Sequence, residues 1–287
     1  MVELLLLIGS GVAAGAFGAL LGLGGGVLIV PLLTLGFGLP FRDAVGASLV
    51  CVIVTSSAAA SVYLQRDVAN LRLGMTLEMF TAIAALTGGL VAFVLPDRAL
   101  AVMFAALLMY VALTMARSRE FRDERLSGEG TVAAGVAADG IADGTPAAPA
   151  APDGSLAAAL SGPGYRVRNL GRGVLGSLLA GIVSALFGVG GGIVKVPVMN
   201  LVMGVPMRVA TATSNLMIGV TASAGALVYL FRGGIDPYVA APTALGVFAG
   251  ASLASRLSDR VDLRVLRILF VAVLVVTAAQ MALKGIV

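Results

Sequence analysis

Displacing the chain by 166 residues lays Gly22–Arg66 on Gly188–Arg232 without a gap, and 21 of the 45 paired positions are identical. The matches include Gly22/Gly188, the triple glycines 24–26 and 190–192, Val30-Pro31/Val196-Pro197 and Pro40/Pro206. They continue through Arg42/Arg208, Ser48/Ser214, Thr55/Thr221, Tyr63/Tyr229 and Arg66/Arg232. Apolar composition alone would pair Ala with Ala and Val with Val, but not glycines, prolines and arginines in register. The chain is two copies of one unit, so its fold must be built from two related halves.

The medium of that fold follows from hydropathy. Of 287 residues, 59% are hydrophobic and 12% charged, and mean hydropathy is +1.03. Soluble domains hold about 45–50% apolar and about 25% charged residues. No soluble core could bury this much apolar surface, so the bilayer is the expected solvent. Apolar helices are predicted over 3–21, 43–64, 74–95 and 98–116, and over 170–187, 208–231, 238–257 and 263–283. The runs 27–39 and 193–205 follow the triple glycines. At thirteen residues each they reach about 20 Å, short of the roughly 30 Å hydrocarbon core, and read as short or re-entrant helices.

Residues 1–116 thus form one transmembrane repeat and 169–287 the other. Between them, 117–168 opens with the charged cluster Arg117–Arg125 and becomes rich in Gly, Ala, Pro and Asp. With few large apolar side chains it reads as a linker. The N-terminus lacks a basic stretch before its apolar run, so it does not read as a cleaved signal peptide.

Charge selects the topology. If the short runs do not cross, the best orientation places 11 Lys/Arg inside and 7 outside. If each completes a crossing, the halves are inverted and the split becomes 14 to 4 with the linker inside. The positive-inside rule favours the second count. The fold expected is therefore an all-α polytopic membrane protein of two inverted repeats. Each has about four full transmembrane helices and one glycine-broken short or re-entrant helix, and the linker is cytoplasmic. The net charge of +4 sits in interhelical loops, which explains it by membrane orientation and excludes nucleic acid as the partner.

Missing side chains narrow the chemistry. There is no His or Trp, and Cys51 is the only cysteine. No internal disulfide, metal constellation, catalytic triad or phosphate-binding loop can be assembled, so neither an enzyme nor a bound cofactor is expected. Carboxylates are scarce in the spans: Glu78 falls one turn inside its expected helix and Glu3 at the terminus. A carboxylate-based ion relay is therefore not indicated.

Three features could carry chemistry. Gly24, Gly25 and Gly26, and Gly190, Gly191 and Gly192, break apolar segments that then pass through Val-Pro. Irregular backbone at membrane depth survives where it is buried or faces a polar cavity. Freed N–H groups beside a half-helix start suit an anion, and inverted repeats would bring two such starts together; close helix packing is the alternative. Lys195 stands where the first repeat has Ile29, and either pairs with an anion or reaches an interface or a carbonyl. Ser48 and Thr55 share a helix face, as do Ser214 and Thr221, with Cys51, Thr211 and Asn215 beside them. Their hydroxyls and amide suit an oxyanion, though Ser and Thr also bond their own helix carbonyls. The arginines 42, 66, 208 and 232 read as interfacial anchors.

The duplicated G-x-G-G-G-x-x-x-V-P, with Thr211-Ala-Thr-Ser-Asn215 after the second copy, resembles the sulfite exporter TauE/SafE family over all but the linker. The resemblance implies a multi-pass plasma-membrane exporter of a small sulfur-containing anion such as sulfite, thiosulfate or an organosulfonate. It also implies that both glycine motifs, Ser48 and Thr213-Ser214-Asn215 line the anion path. Alternating access between the halves would serve such a carrier. An anion channel and a non-transporting membrane subunit are the other readings, and a homo-oligomer is compatible with all three.

Overall fold

The computed structural model describes residues 2–20, 25–65, 69–117, 159–162, 165–257 and 263–286. These are all-helical, apart from an isolated bridge between Gly162 and Tyr165. The first half contains α1 (Val2–Leu20), α2 (Gly26–Pro31), α3 (Phe41–Gln65), α4 (Leu71–Val94) and α5 (Asp97–Arg117). The second contains α6 (Leu170–Phe187), α7 (Gly192–Pro197), α8 (Met207–Phe231), α9 (Pro237–Leu257) and α10 (Leu263–Ile286). Among the described residues, six helices are long and apolar enough to cross a membrane: Leu71–Val94, Asp97–Ala116, Leu170–Phe187, Val209–Phe231, Pro237–Ala254 and Ile268–Gly285. Large apolar side chains such as Leu5, Val94, Phe231 and Ile268 stand exposed on the outside, as a lipid-facing surface requires.

The short helices end alike in both halves. After Pro31 and Pro197 the backbone widens into π turns, Leu32–Gly36 and Val198–Val202. Proline offers no N–H to the preceding turn, and in both halves a single π turn, a rare form of helix, follows it directly. Gly38 (φ 68°) and Gly204 (φ 71°) then close the helix in the left-handed region. There Leu39 N bonds to Leu33 O at 3.2 Å, and Val205 N to Met199 O at 2.9 Å. A Cβ would oppose that conformation, and Pro40 and Pro206 follow where the helix cannot continue. The register of glycines and prolines across the repeat is thus a register of helix breaks.

The helices pair across the halves. α1 packs along α9, α4 along α6, α3 along α8 and α5 along α10. Exchanging the halves converts the first pairing into the second and returns the other two unchanged. Small residues make the close approaches: Gly11 and Gly15 meet the α9 backbone near Thr243 and Val247, and Gly88 meets Ile182 of α6. Gly285 at the end of α10 lies against Arg98 and Val102 at the start of α5. Gly46 near the start of α3 meets Gly234 beyond the end of α8, and Gly219 meets Ser56. Both of these repeat-related pairs therefore run antiparallel.

α4 begins three residues before the expected start because Asn70 caps it. Its Oδ1 accepts from Leu73 N at 3.0 Å, satisfying one orphan donor of the first turn. The other end of Asn70 ties in the segment before α6. Nδ2 donates to Leu160 O (2.8 Å) and Tyr165 Oη (2.7 Å), and Leu160 and Val167 are buried with Leu73, Leu77, Met199 and Met203. Burial pushes the Tyr165 phenol above its ordinary pKa, against the opposing effect of that hydrogen bond. Most of 117–168, Arg66 and the Arg208 side chain lie outside the described residues. Arg42 does more than anchor: Nη2 donates to Leu95 O at 2.6 Å and Nε to Ala92 O at 3.2 Å, and Nε lies 3.1 Å from Asp97. It thereby holds the α4–α5 turn.

Candidate functional site

The two glycine motifs meet. Gly24 lies outside the described residues, but Gly25 (φ 75°) caps the start of α2 and Gly26 opens it. A Cβ on Gly26 would stand 2.6 Å from Gly188 O and 2.8 Å from Val52 Cγ2. In the second motif Gly190 (φ 79°) would press a Cβ against Ile218 and Val52, both at 2.8 Å. Gly191 (φ 75°) would bring one to 2.9 Å from Ala180 O, and Gly192 to 2.7 Å from Ile218 Cδ1. Left-handed backbone and this closeness each call for glycine, and at Gly190 and Gly191 both apply.

Hydroxyls surround this junction with unequal partners. Ser48 Oγ, from the first half, donates to Gly188 O at 2.8 Å, with Gly26 O at 3.3 Å. Its repeat mate Ser214 is buried, and its Oγ has no hydrogen-bond partner; neither has Ser184 Oγ. Both flank the second motif: the Gly192 Cβ direction points to within 3.7 Å of Ser214 Oγ, and the Gly191 direction to within 3.3 Å of Ser184 Cβ. Buried hydroxyls without partners are uncommon, and each forgoes about 1–3 kcal/mol. No side chain caps α7, so its first N–H groups remain available as further donors.

Other expected residues lie elsewhere. Thr213 is buried but faces the start of α4, its Oγ1 accepting from Asn70 N at 2.9 Å. Asn215 is half-buried on α8. Thr55 bonds Cys51 O and Val52 O, and Thr211 bonds Met207 O, within their own helices.

Lys195 is buried, 1% exposed, and its partner is a carboxylate rather than an interface or a carbonyl. Nζ donates to Glu78 Oε2 at 3.1 Å and to Thr221 Oγ1 at 2.5 Å. Thr221 donates in turn to Glu78 Oε1 at 2.6 Å. The expectation that carboxylates play little part in the spans does not hold at this point. With α4 starting at Leu71, Glu78 lies seven residues, about 10 Å, inside the helix and is only 7% exposed. Each charge makes the other tolerable at this depth.

A cavity of about 330 Å³ lies apart from these groups, between α1, α2 and α10, where Phe17, Leu28, Leu35 and Phe270 line it. No charged side chain lines it, and its polar side chains are Thr277 and Gln280.

The chain matches the sulfite exporter TauE/SafE family over residues 7–281. It is 22% identical over 292 residues to the probable membrane transporter protein YunE of Bacillus subtilis, covering 99% of both chains. To the probable membrane transporter protein MJ0441 of Methanocaldococcus jannaschii it is 25% identical over 293 residues, covering 97% of this chain and 95% of the other. No solved structure matches it.

Proposed function

Because this chain belongs to the sulfite exporter TauE/SafE family, a family of membrane transporters and not of enzymes, we propose that it exports a small sulfur-containing oxyanion such as sulfite, thiosulfate or an organosulfonate. The anion path runs between Gly25–Gly26 and Gly190–Gly192 near the membrane midplane, with Ser48 and Ser214 along it. Ser184 joins this set, and Lys195 supplies its positive charge. The observation that carries the reading is the pair of buried, unpartnered hydroxyls, Ser184 and Ser214, beside the second motif. An oxyanion would accept from both and remove the desolvation cost each now bears.

The antiparallel run of the repeat-related pairs α3/α8 and α5/α10 supports inverted repeats, since only a twofold axis across the helices reverses related helices that touch. Alternating access then exchanges the two halves about that axis.

The test is uptake of labelled sulfite by proteoliposomes, competed by thiosulfate, sulfate and organosulfonates. Saturable, competed flux is expected. Unsaturable flux at channel rates would replace the carrier by a pore, and no flux from folded protein would remove the reading. Ser214→Ala separates site from scaffold. It should weaken anion affinity about 10-fold, the worth of one charge-assisted hydrogen bond, while leaving thermal unfolding unchanged or raised because an unsatisfied hydroxyl is gone. Lower stability with unaltered affinity would make Ser214 a packing residue.

A further inference from the structure

The Lys195–Glu78–Thr221 cluster has no counterpart in the other half. Ile29 occupies the position of Lys195. The 166-residue offset, which also relates the starts of α4 and α9, takes Glu78 to Ala244. Only the threonine recurs, as Thr55, and it bonds its own helix. Ile29 and Ala244 are buried, at 1% and 6% exposure. The repeat therefore supplies an internal control: helix packing at this position is achieved without charge, and the ion pair serves something else.

Its location is suggestive of what. Lys195 stands three residues beyond Gly192 in α7, about one turn from the motif that Ser184 and Ser214 flank. Of the other titratable side chains on α4, α6, α7 and α8, Arg72 and Arg172 are exposed near helix starts, and Tyr229 donates to Ala185 O at 3.0 Å. The Arg208 side chain lies outside the described residues.

We propose that Glu78 is the internal counter-ion of Lys195 while the anion is absent, and takes up one proton when the anion replaces it, so that each monoanion moves together with one proton. The inference rests on the transport reading above. In the empty site the Lys195 ammonium and the Glu78 carboxylate sum to zero. The arriving monoanion pairs with the ammonium, Glu78 gains a proton from water to form the neutral carboxyl, and the sum is again zero. On the far side the anion leaves, the proton returns to water and the ion pair closes. Only the carboxyl O–H bond is made and broken. Entry of the anion without the proton would leave an uncompensated negative charge at membrane depth, the costly alternative.

Thr221 suits both states, because a hydroxyl donates and accepts. With the pair closed it accepts from Lys195 and donates to Glu78. With Glu78 protonated it accepts from the carboxyl and donates to Met217 O, which already lies 3.0 Å away.

The test uses the full chain in liposomes that enclose a pH-reporting dye, with sulfite, thiosulfate and ethanesulfonate as probes. The last two bind no proton near neutral pH, and protein-free liposomes correct sulfite for permeation as sulfur dioxide. Anion entry should acidify the lumen by one proton per ethanesulfonate, and a pH difference of one unit should sustain an anion ratio of about 10-fold. Glu78→Gln should abolish the proton movement and make the flux follow an imposed potential. Anion flux without protons in the unaltered protein would overturn the coupling and leave the transport reading intact, whether or not the variant folds. Proton movement persisting in a folded Glu78→Gln protein would also overturn it. No flux of any probe from folded protein would remove both.

Discussion

Glu78→Ala should destabilise the purified protein by on the order of 3–5 kcal/mol, the largest effect expected of any single side-chain truncation in this chain. The variant leaves the Lys195 ammonium buried with Thr221 Oγ1 as its remaining side-chain partner. A hydroxyl dipole does not replace a carboxylate there, whereas an apolar pair of similar volume makes no such demand. Lys195→Met in the Glu78→Ala background should therefore recover most of the loss, as the Ile29 and Ala244 positions already do without charge. Thermal or denaturant unfolding in micelles would measure both. A single variant as stable as the double would mean that water already reaches the pair.

Gly191→Val should cost a comparable amount, on the order of 2–6 kcal/mol. Two costs coincide at this residue. A β-branched side chain in the left-handed region is strained by about 1–3 kcal/mol, and its Cβ would lie 2.9 Å from Ala180 O. That oxygen belongs to the α6 backbone and cannot swing aside, so overpacking adds about 1–3 kcal/mol. Gly9→Ala is the matched control, because a Cβ there meets nothing within 4 Å. It should be neutral or stabilising by up to about 1 kcal/mol. If Gly191→Val unfolds no more readily than Gly9→Ala, the motif backbone is not as constrained as its φ of 75° implies.

Much of this architecture was legible because its causes are local. Apolar runs punctuated by Gly-Pro pairs located the helices to within a few residues. The repeat paired Pro40 with Pro206, and each follows a helix break in the structure. The start of α4 was missed because Asn70 was not read as a cap, and that shift hid how deep Glu78 lies. The ion pair itself was illegible for another reason. Glu78 and Lys195 are separated by 117 residues, sit in different halves, and neither recurs in the repeat, so no periodicity joins them. The same holds for Ser184, whose place in the first half is taken by Gly18. Lys195 stood out for its cost in the membrane, but its sequence neighbourhood does not reveal what it pairs with. Ser48 was legible as polar and buried, yet its partner, the carbonyl of Gly188, exists only once the halves are assembled.

The exchange of partners between the halves also sets the order in which the molecule can be made. α1 leaves the ribosome well before the helix it lies along, α9. Their meeting points, such as Gly11 against Gly246, close a loop that spans most of the chain. Contacts so remote in sequence form late and slowly. Until α9 has been made, the glycine face of α1 has lipid or the insertion machinery as its neighbour. α4 waits only for α6, the next helix made after α5 and the linker. The bundle is thus sealed from its middle outward, and α1 is locked in only after α9 has been made.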